Sequence, residues 1–569
     1  MSIKRSIITL SAVAALSTSS YALTHDDMMQ QLEMLKAQIA ALEGKLKQNE
    51  ASLKNNKTLL GTLQSDDNLA KRVTDLEVKA KKVDAKVSKN SKKVREAKML
   101  ANADNIKWDV DLRTAIDNIQ YEHISGEKSK NKDLMTNRLW LGMGYAPDNN
   151  TLFKGKISYN KTFGDTANHS QSNSALGVGF ADFDWVTNEN AIDGNLAIKE
   201  AYWLYMDDTI GGTEIPWTIS IGRRPSTDGL GINMREGMKD NSPLSHTVNV
   251  EFDGLSSRWD LAKVTGVEGM WWKLCTGRGL TNATPRFNMT IPGADYAKDE
   301  SKNPDIDMYG FIFVPYDNGQ YSIHTNFARA TNLIGFTEAS MMSYSMASQG
   351  IDPTNPNLQL DGVTASNVAT SADTSVLIPS ASMAYAPTFQ NFGDMDLYTA
   401  MFKAEGIGDE INDFLDDTVF FASVAASKTH PKAGMNMLGS AQSQSGHSEW
   451  IGVNMPDPFT SNGRWGIEWN KGSKYWRSVT YGEDTMVGSK IAARGTAWEI
   501  YYNKPINKYL SFNARLTDIK YDYTGSNSFF GEDGTPYTIA EAKARYAARL
   551  GADVVESARD IRFSISYKF

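Results

Sequence analysis

The sequence predicts an all-β protein, a 16-stranded antiparallel transmembrane β-barrel preceded by an α-helical coiled coil. Three observations carry this. The last ten residues alternate without error: Ile561, Phe563, Ile565, Tyr567 and Phe569 share one face of an extended strand, and Asp560, Arg562, Ser564, Ser566 and Lys568 the other. The same two-residue period recurs along the chain from Ile106 onward. Short connections rich in turn formers then alternate strictly with longer polar ones, as periplasmic turns and outer loops do in a membrane barrel. A soluble chain end is usually polar and frayed. A strand with lipid on one side and a polar lumen on the other needs the dyad pattern instead.

Bulk composition is consistent with this. The chain has 569 residues, 41% hydrophobic, a mean hydropathy of −0.41 and a net charge of −8. Barrel strands dilute their apolar half with lumenal residues and long loops, so low hydropathy is no objection. After the first apolar stretch no run approaches the ~18 apolar residues of a spanning helix, which excludes a helical membrane protein. The net acidity argues against a nucleic-acid binder. Cys275 is the only cysteine, which excludes an intrachain disulfide and a cysteine-rich zinc site. No metal spacing, phosphate-cradling loop or nucleophile elbow is found, so neither a cofactor nor a metal is expected.

Residues 1–22 read as a secretory signal. Lys4 and Arg5 give the positive start, Ile7 to Leu16 the apolar core, and Ser20-Tyr21-Ala22 a small-x-small cleavage site. Residues 23–103 form the second unit, with apolar residues at alternating gaps of three and four: Met28, Leu32, Leu35, Ile39, Leu42 and Leu46, then later Leu69, Val73, Leu76, Ala80, Val83 and Val87. This is a heptad seam, and a left-handed coiled coil is its partner geometry. Gly61 and Ser65-Asp66-Asp67 interrupt it. A lone helix this long has nothing else to cover its stripe, so self-association follows. The lysine-rich stretch from Lys79 to Lys93 reads as a solvated face, or else as a contact for cell-wall polymer.

At 104–569 heptads give way to dyads. Ile106, Trp108, Val110 and Leu112 alternate with Lys107, Asp109, Asp111 and Arg113, and Leu139, Leu141, Met143 and Tyr145 follow the same rule. Many strands carry Trp or Tyr on the apolar face toward one end, as the interfacial girdles of membrane barrels do. Seven short turns include 146–151, 207–216, 264–269, 315–319, 387–393, 456–463 and 503–508. Eight longer loops lie at about 123–135, 164–195, 225–254, 278–304, 331–377, 405–447, 472–493 and 520–559. Together they join sixteen strands. Thr418 to Ala426 is ambiguous: it fits a short loop helix, whereas a strand there would raise the number to eighteen. Glu541 to Leu550 is helical by composition.

The residues Lys199-Glu200-Ala201-Tyr202-Trp203-Leu204-Tyr205, the strand Thr218 to Pro225, Phe252-Asp253-Gly254-Leu255 and the terminal Phe569 resemble the trimeric outer-membrane porin superfamily. The resemblance is to the branch with an N-terminal periplasmic coiled coil, and most of all to an uncharacterised family of porin-like outer-membrane proteins. It implies a homotrimer in outer-membrane lipid of a Gram-negative cell, passing small hydrophilic solutes. It also implies that the third outer loop, 225–254, folds into the lumen, with Arg235, Glu236, Lys239 and Asp240 as constriction candidates. The general-porin form of this loop is absent, and 331–377 is a rival.

The polar strand faces place Lys107, Arg113, Arg138, Lys154, Lys156, Arg224, Arg258 and Arg515 in the lumen, opposed by fewer carboxylates. Glu200 joins them if Trp203 and Tyr205 face lipid, since a carboxylate at mid-membrane is costly there. An excess of Arg and Lys favours anions, so a weak anion preference is expected; a wall of mutually paired charges with little selectivity is the alternative. An enzyme would need a nucleophile, base and orienter together, and the seven histidines are scattered. A tether to the cell wall through the coiled coil, or a barrel plugged or threaded by a partner, are the rival functions.

Overall fold

The computed structural model describes residues 106–163, 196–239, 241, 243–280, 305–348, 354, 389–407, 411–481 and 485–569. The signal segment and the coiled coil expected from the sequence lie outside them. Sixteen strands run in chain order: β1 (Lys107–His123), β2 (Lys128–Tyr145), β3 (Thr151–Thr162), β4 (Leu196–Asp207), β5 (Trp217–Arg224), β6 (Phe252–Asp260), β7 (Trp271–Leu280) and β8 (Ile306–Asp317) form the first half. The second half comprises β9 (Tyr321–Gly335), β10 (Gln390–Glu405), β11 (Val419–Pro431), β12 (Ser445–Pro456), β13 (Arg464–Gly472), β14 (Gly495–Pro505), β15 (Leu510–Tyr521) and β16 (Val555–Lys568). Each pairs antiparallel with its sequence neighbours, and β16 pairs with β1, which closes the barrel. Closure runs to the last residue, where Phe569 and Val110 exchange both backbone hydrogen bonds at 2.9 and 3.1 Å. Closure removes the sheet edge, the only way a sheet can stand in lipid.

The dyads sort as expected. Phe563, Ile565, Tyr567 and Phe569 are exposed on the outside while Asp560, Arg562, Ser564 and Ser566 are buried. Outward aromatic pairs gather at the rim carrying the short turns: Trp259 stacks on Trp272 at 5.0 Å, Trp465 lies 4.5 Å from Tyr502, and Tyr205 5.7 Å from Trp217. An amphipathic ring set at strand ends suits a membrane interface.

Three expectations are corrected. Thr418 to Ala426 is no loop helix: Val419–Pro431 is strand β11, and the only helix beside it is the single turn Asp413–Asp416. Its inward residues are mostly small (Ser423, Ala425, Ser427 and Thr429), so helical composition masks the two-residue period. Conversely, the turn expected at 387–393 is not present in its described part: 390–393 belong to β10, with Gly393 opposite Pro431 and Leu333. Since β9 pairs directly with β10, the number of strands stays at sixteen. The first hairpin is also tighter than expected: only 124–127 separate β1 from β2. The polar run Lys128 to Asp133 continues the ladder. The helix anticipated near 541–550 is present as Ile539–Ala547, opened by a Thr538/Glu541 capping box.

The interior is not uniformly polar. Leu230, Ile232 and Leu244 of the β5–β6 loop pack on Met401, Phe421 and Trp450 of the wall and Ile491 of the β13–β14 loop. A larger cluster joins Met395, Leu397, Ala328 and Ala330 of the wall to loop residues Val250, Leu438, Val479 and Phe530. The β8–β10 wall is therefore apolar on both faces where these loops meet it, whereas Ser322, His324 and Asn326 keep the rest of the inner face of β9 polar. A two-residue period cannot show this, since it registers only contrast between the faces.

Candidate functional site

The β5–β6 loop, 225–251, crosses the lumen as the resemblance implied, and its anchors explain why. Gly231, at φ +106°, turns the chain so tightly against the Trp450 ring that a Cβ would sit 2.2 Å from that ring. A short 3-10 helix, Ile232–Glu236, follows. It presents Arg235 and Glu236 to different strands of the wall. Glu236 accepts from Arg113 Nη1 at 2.7 Å and Arg138 Nη2 at 3.2 Å. Arg235 Nη1 lies 3.5 Å from Glu499. Glu499 shares Lys490 with Glu468, each carboxylate 2.7 Å from its Nζ, and Lys490 comes from the inward β13–β14 loop. Further along, His246 is fully buried between Ser423 Oγ at 2.7 Å and Ser448 Oγ at 3.0 Å. Burial alone pushes its pKa down to about 3. A neutral imidazole can bridge two hydroxyls by donating from one nitrogen and accepting at the other.

The wall residues named from the sequence are placed as follows. Arg113 and Arg138 are buried against Glu236, and Arg138 lies 3.7 Å over the ring of Trp140. Lys156 donates to Glu200 at 2.6 Å. Glu200 does face inward, and Trp203 is exposed outward. The β3–β4 ladder has a bulge between Lys156 and Ile157, where the extra residue on β4 is Lys199. The bulge turns Lys199 inward as well, next to Glu251 at 3.2 Å, a contact that strand parity conceals. Lys107 starts β1 on the inward parity, Lys154 is exposed near the short-turn rim, and Arg515 is buried opposite Arg562. Arg224 and Arg258 stack on Tyr202 and Trp271 at 4.1 and 4.2 Å. Lys239 is exposed, and Asp240 lies outside the described residues.

The structure thus brings Arg113, Arg138, Arg235 and Glu236 together as struts between loop and wall. Lys154, Arg224 and Arg258 stand apart from them. The loop partners Lys490, Glu251 and His246 were missed, because no local period marks a loop residue that will fold inward. Among the described residues no group of His, Cys, Asp and Glu is arranged to hold a metal ion.

Comparison with solved structures finds porins and other outer-membrane proteins. The anion-selective porin from Comamonas acidovorans is 10% identical, with 82% of this chain and 99% of that one covered and a TM-score of 0.41. OprB of Pseudomonas putida is 10% identical over 83% of this chain and 96% of its own, TM-score 0.40. OmpT, an outer membrane protein of Vibrio cholerae, is 7% identical over 82% and 97%, TM-score 0.38. No residue role passes from them at such similarity. No curated protein matches the chain in sequence. The family model described as Protein of unknown function (DUF3373) matches residues 128–569, from the first residue of β2 to the carboxy-terminus, in agreement with the resemblance to an uncharacterised family. The chain belongs to the DUF3373 family.

Proposed function

We propose that this protein is a porin-type channel of the Gram-negative outer membrane that passes small hydrophilic solutes and ions by diffusion, with a weak preference for anions. The observation that carries it is the closed 16-stranded barrel with an apolar, aromatic-rimmed outside and a charged inner wall, crossed by the β5–β6 loop. Lys154, Arg224 and Arg258 support the anion preference, since they are lumenal cations that stand apart from the loop struts; a lumen lined by cations favours anions. Lys107, Arg113, Arg138, Lys156, Glu200 and Arg515 line the lumen or hold its partition in this reading. Arg235 and Glu236 fix the constriction. The heptads of 23–103 support a homotrimer with its coiled coil in the periplasm, beside the cell wall.

A second reading is favoured by the apolar clusters between the inward loops and β8–β12: a barrel plugged at rest, acting as a tether or opening on a signal. Planar-bilayer recording of the refolded protein under a salt gradient separates the two. Openings in multiples of three, reversing at a potential of anion-selective sign, are expected for the channel. A folded, inserted and silent barrel would leave the plug.

A further inference from the structure

The inward loop does not fill the lumen evenly. Between it and the β6–β9 wall lies a partly open cavity of about 80 Å³, several times the roughly 10–15 Å³ that admits one water molecule. The wall is thin here because Gly254, Gly277 and Gly310 bring no side chain. We propose that this cavity is a binding site for a small carboxylate with an apolar body. The proposal rests on the channel reading only for how the ligand arrives.

The charge of the site is one-sided. Arg224 and Lys273 line the cavity and no Asp or Glu does. The Nε and Nη1 donors of Arg224 are buried without an acceptor, which is costly for a charged group unless a ligand supplies one. The guanidinium is held by the Tyr202 ring at 4.1 Å, so it is fixed before any ligand arrives. Lys273 is directly opposite Arg258 in the β6–β7 register, and Arg258 is exposed to the lumen. It forms a cationic approach. Most of the remaining lining is apolar, with Val248, Phe252, Met308 and Ile312 among it, and its other polar side chains, Ser226, Ser256, Thr276 and Asn326, are neutral. A few fixed polar groups in an otherwise apolar cleft orient a ligand by its charged end and hold it by its hydrocarbon. An inorganic oxyanion would satisfy the cations and waste the apolar wall. A neutral amide could accept one hydrogen bond from Arg224 but would bring neither the charge nor the paired oxygens that a guanidinium binds best.

The chain's single cysteine reports on this site, because Cys275 lines the same cavity. The experiment is the rate at which an anionic methanethiosulfonate labels Cys275 in the refolded full-length protein, with benzoate, benzamide or inorganic phosphate added. Benzoate is expected to slow labelling saturably, and benzamide and phosphate to slow it little. Arg224→Gln and Lys273→Gln are each expected to weaken benzoate protection about tenfold or more, the loss of a charged hydrogen bond. Equal protection by benzoate and benzamide, protection by phosphate as strong as by benzoate, or no protection at all overturns the proposal. So does full protection in both variants. Should a variant fail to fold, the wild-type comparison of benzoate with benzamide decides alone. Labelling needs no ion current: a silent barrel with benzoate protection sinks the channel and keeps the site, and a conducting barrel without protection does the reverse.

Discussion

Arg562 Nε donates to Asp117 Oδ1 at 2.6 Å, directly across the seam where the last strand meets the first. Both side chains are almost wholly buried. Removing one member of such a pair strands the other charge. Asp117→Ala should therefore destabilise the barrel by about 3–5 kcal/mol, and a paired apolar replacement of both residues should recover most of it. Urea midpoints of the refolded proteins in one detergent test this. A single variant as stable as wild type would show that the seam does not depend on the pair.

Glu236 ties the inward loop to two arginines, so Glu236→Ala leaves Arg113 and Arg138 buried beside an empty anchor. A loss of several kcal/mol in loop attachment is expected. It should appear as larger and noisier single-channel conductance, with faster proteolysis in 225–251. Glu236→Gln should fall between, keeping acceptor geometry without charge. Unchanged conductance in both variants would mean that the loop is held by its apolar contacts.

His246 predicts an acid limb of stability. Its folded pKa, about 3, lies below the ordinary 6.5, so the unfolded chain binds the proton more readily between these values. The contribution is complete above about pH 6.5 and is lost progressively as pH falls toward 3. His246 packs 5.6 Å from the Trp450 ring and 5.7 Å from that of Trp476. Tryptophan emission should report protonation and release, and His246→Gln should flatten the pH dependence in this window. An equally steep acid limb in that variant would assign it to other groups.

Gly231→Ala tests the tightest point of the loop. A Cβ there would meet the Trp450 ring at 2.2 Å, and the backbone is at φ +106°. Overpacking of this kind costs about 1–3 kcal/mol, to which left-handed strain adds. Gly319→Ala, in a short turn where a Cβ meets nothing within 4 Å, carries the φ penalty alone. The difference in urea midpoint between the two isolates the ring contact.

The sequence by itself determined the barrel, its outward face and the order of its charges. Those follow from a two-residue contrast between lipid and lumen that every strand must satisfy, as Ile561 to Phe569 do without exception. It also favoured the lumen for Glu200, since a carboxylate facing lipid at mid-membrane is costly. It failed wherever contrast is weak: in Thr418 to Ala426, where small residues serve strand and helix alike, and at Lys199, which a bulge rather than parity turns inward. Only the tertiary structure decided what fills the lumen. Lys490 meets Glu468 and Glu499, and Arg235 meets Glu499, through loops far apart in sequence. Such partners are chosen by the closure of the barrel around the loops, and no local period records them. The cavity beside Arg224 has the same origin: it is the space left when a loop of one shape lies against a wall of another.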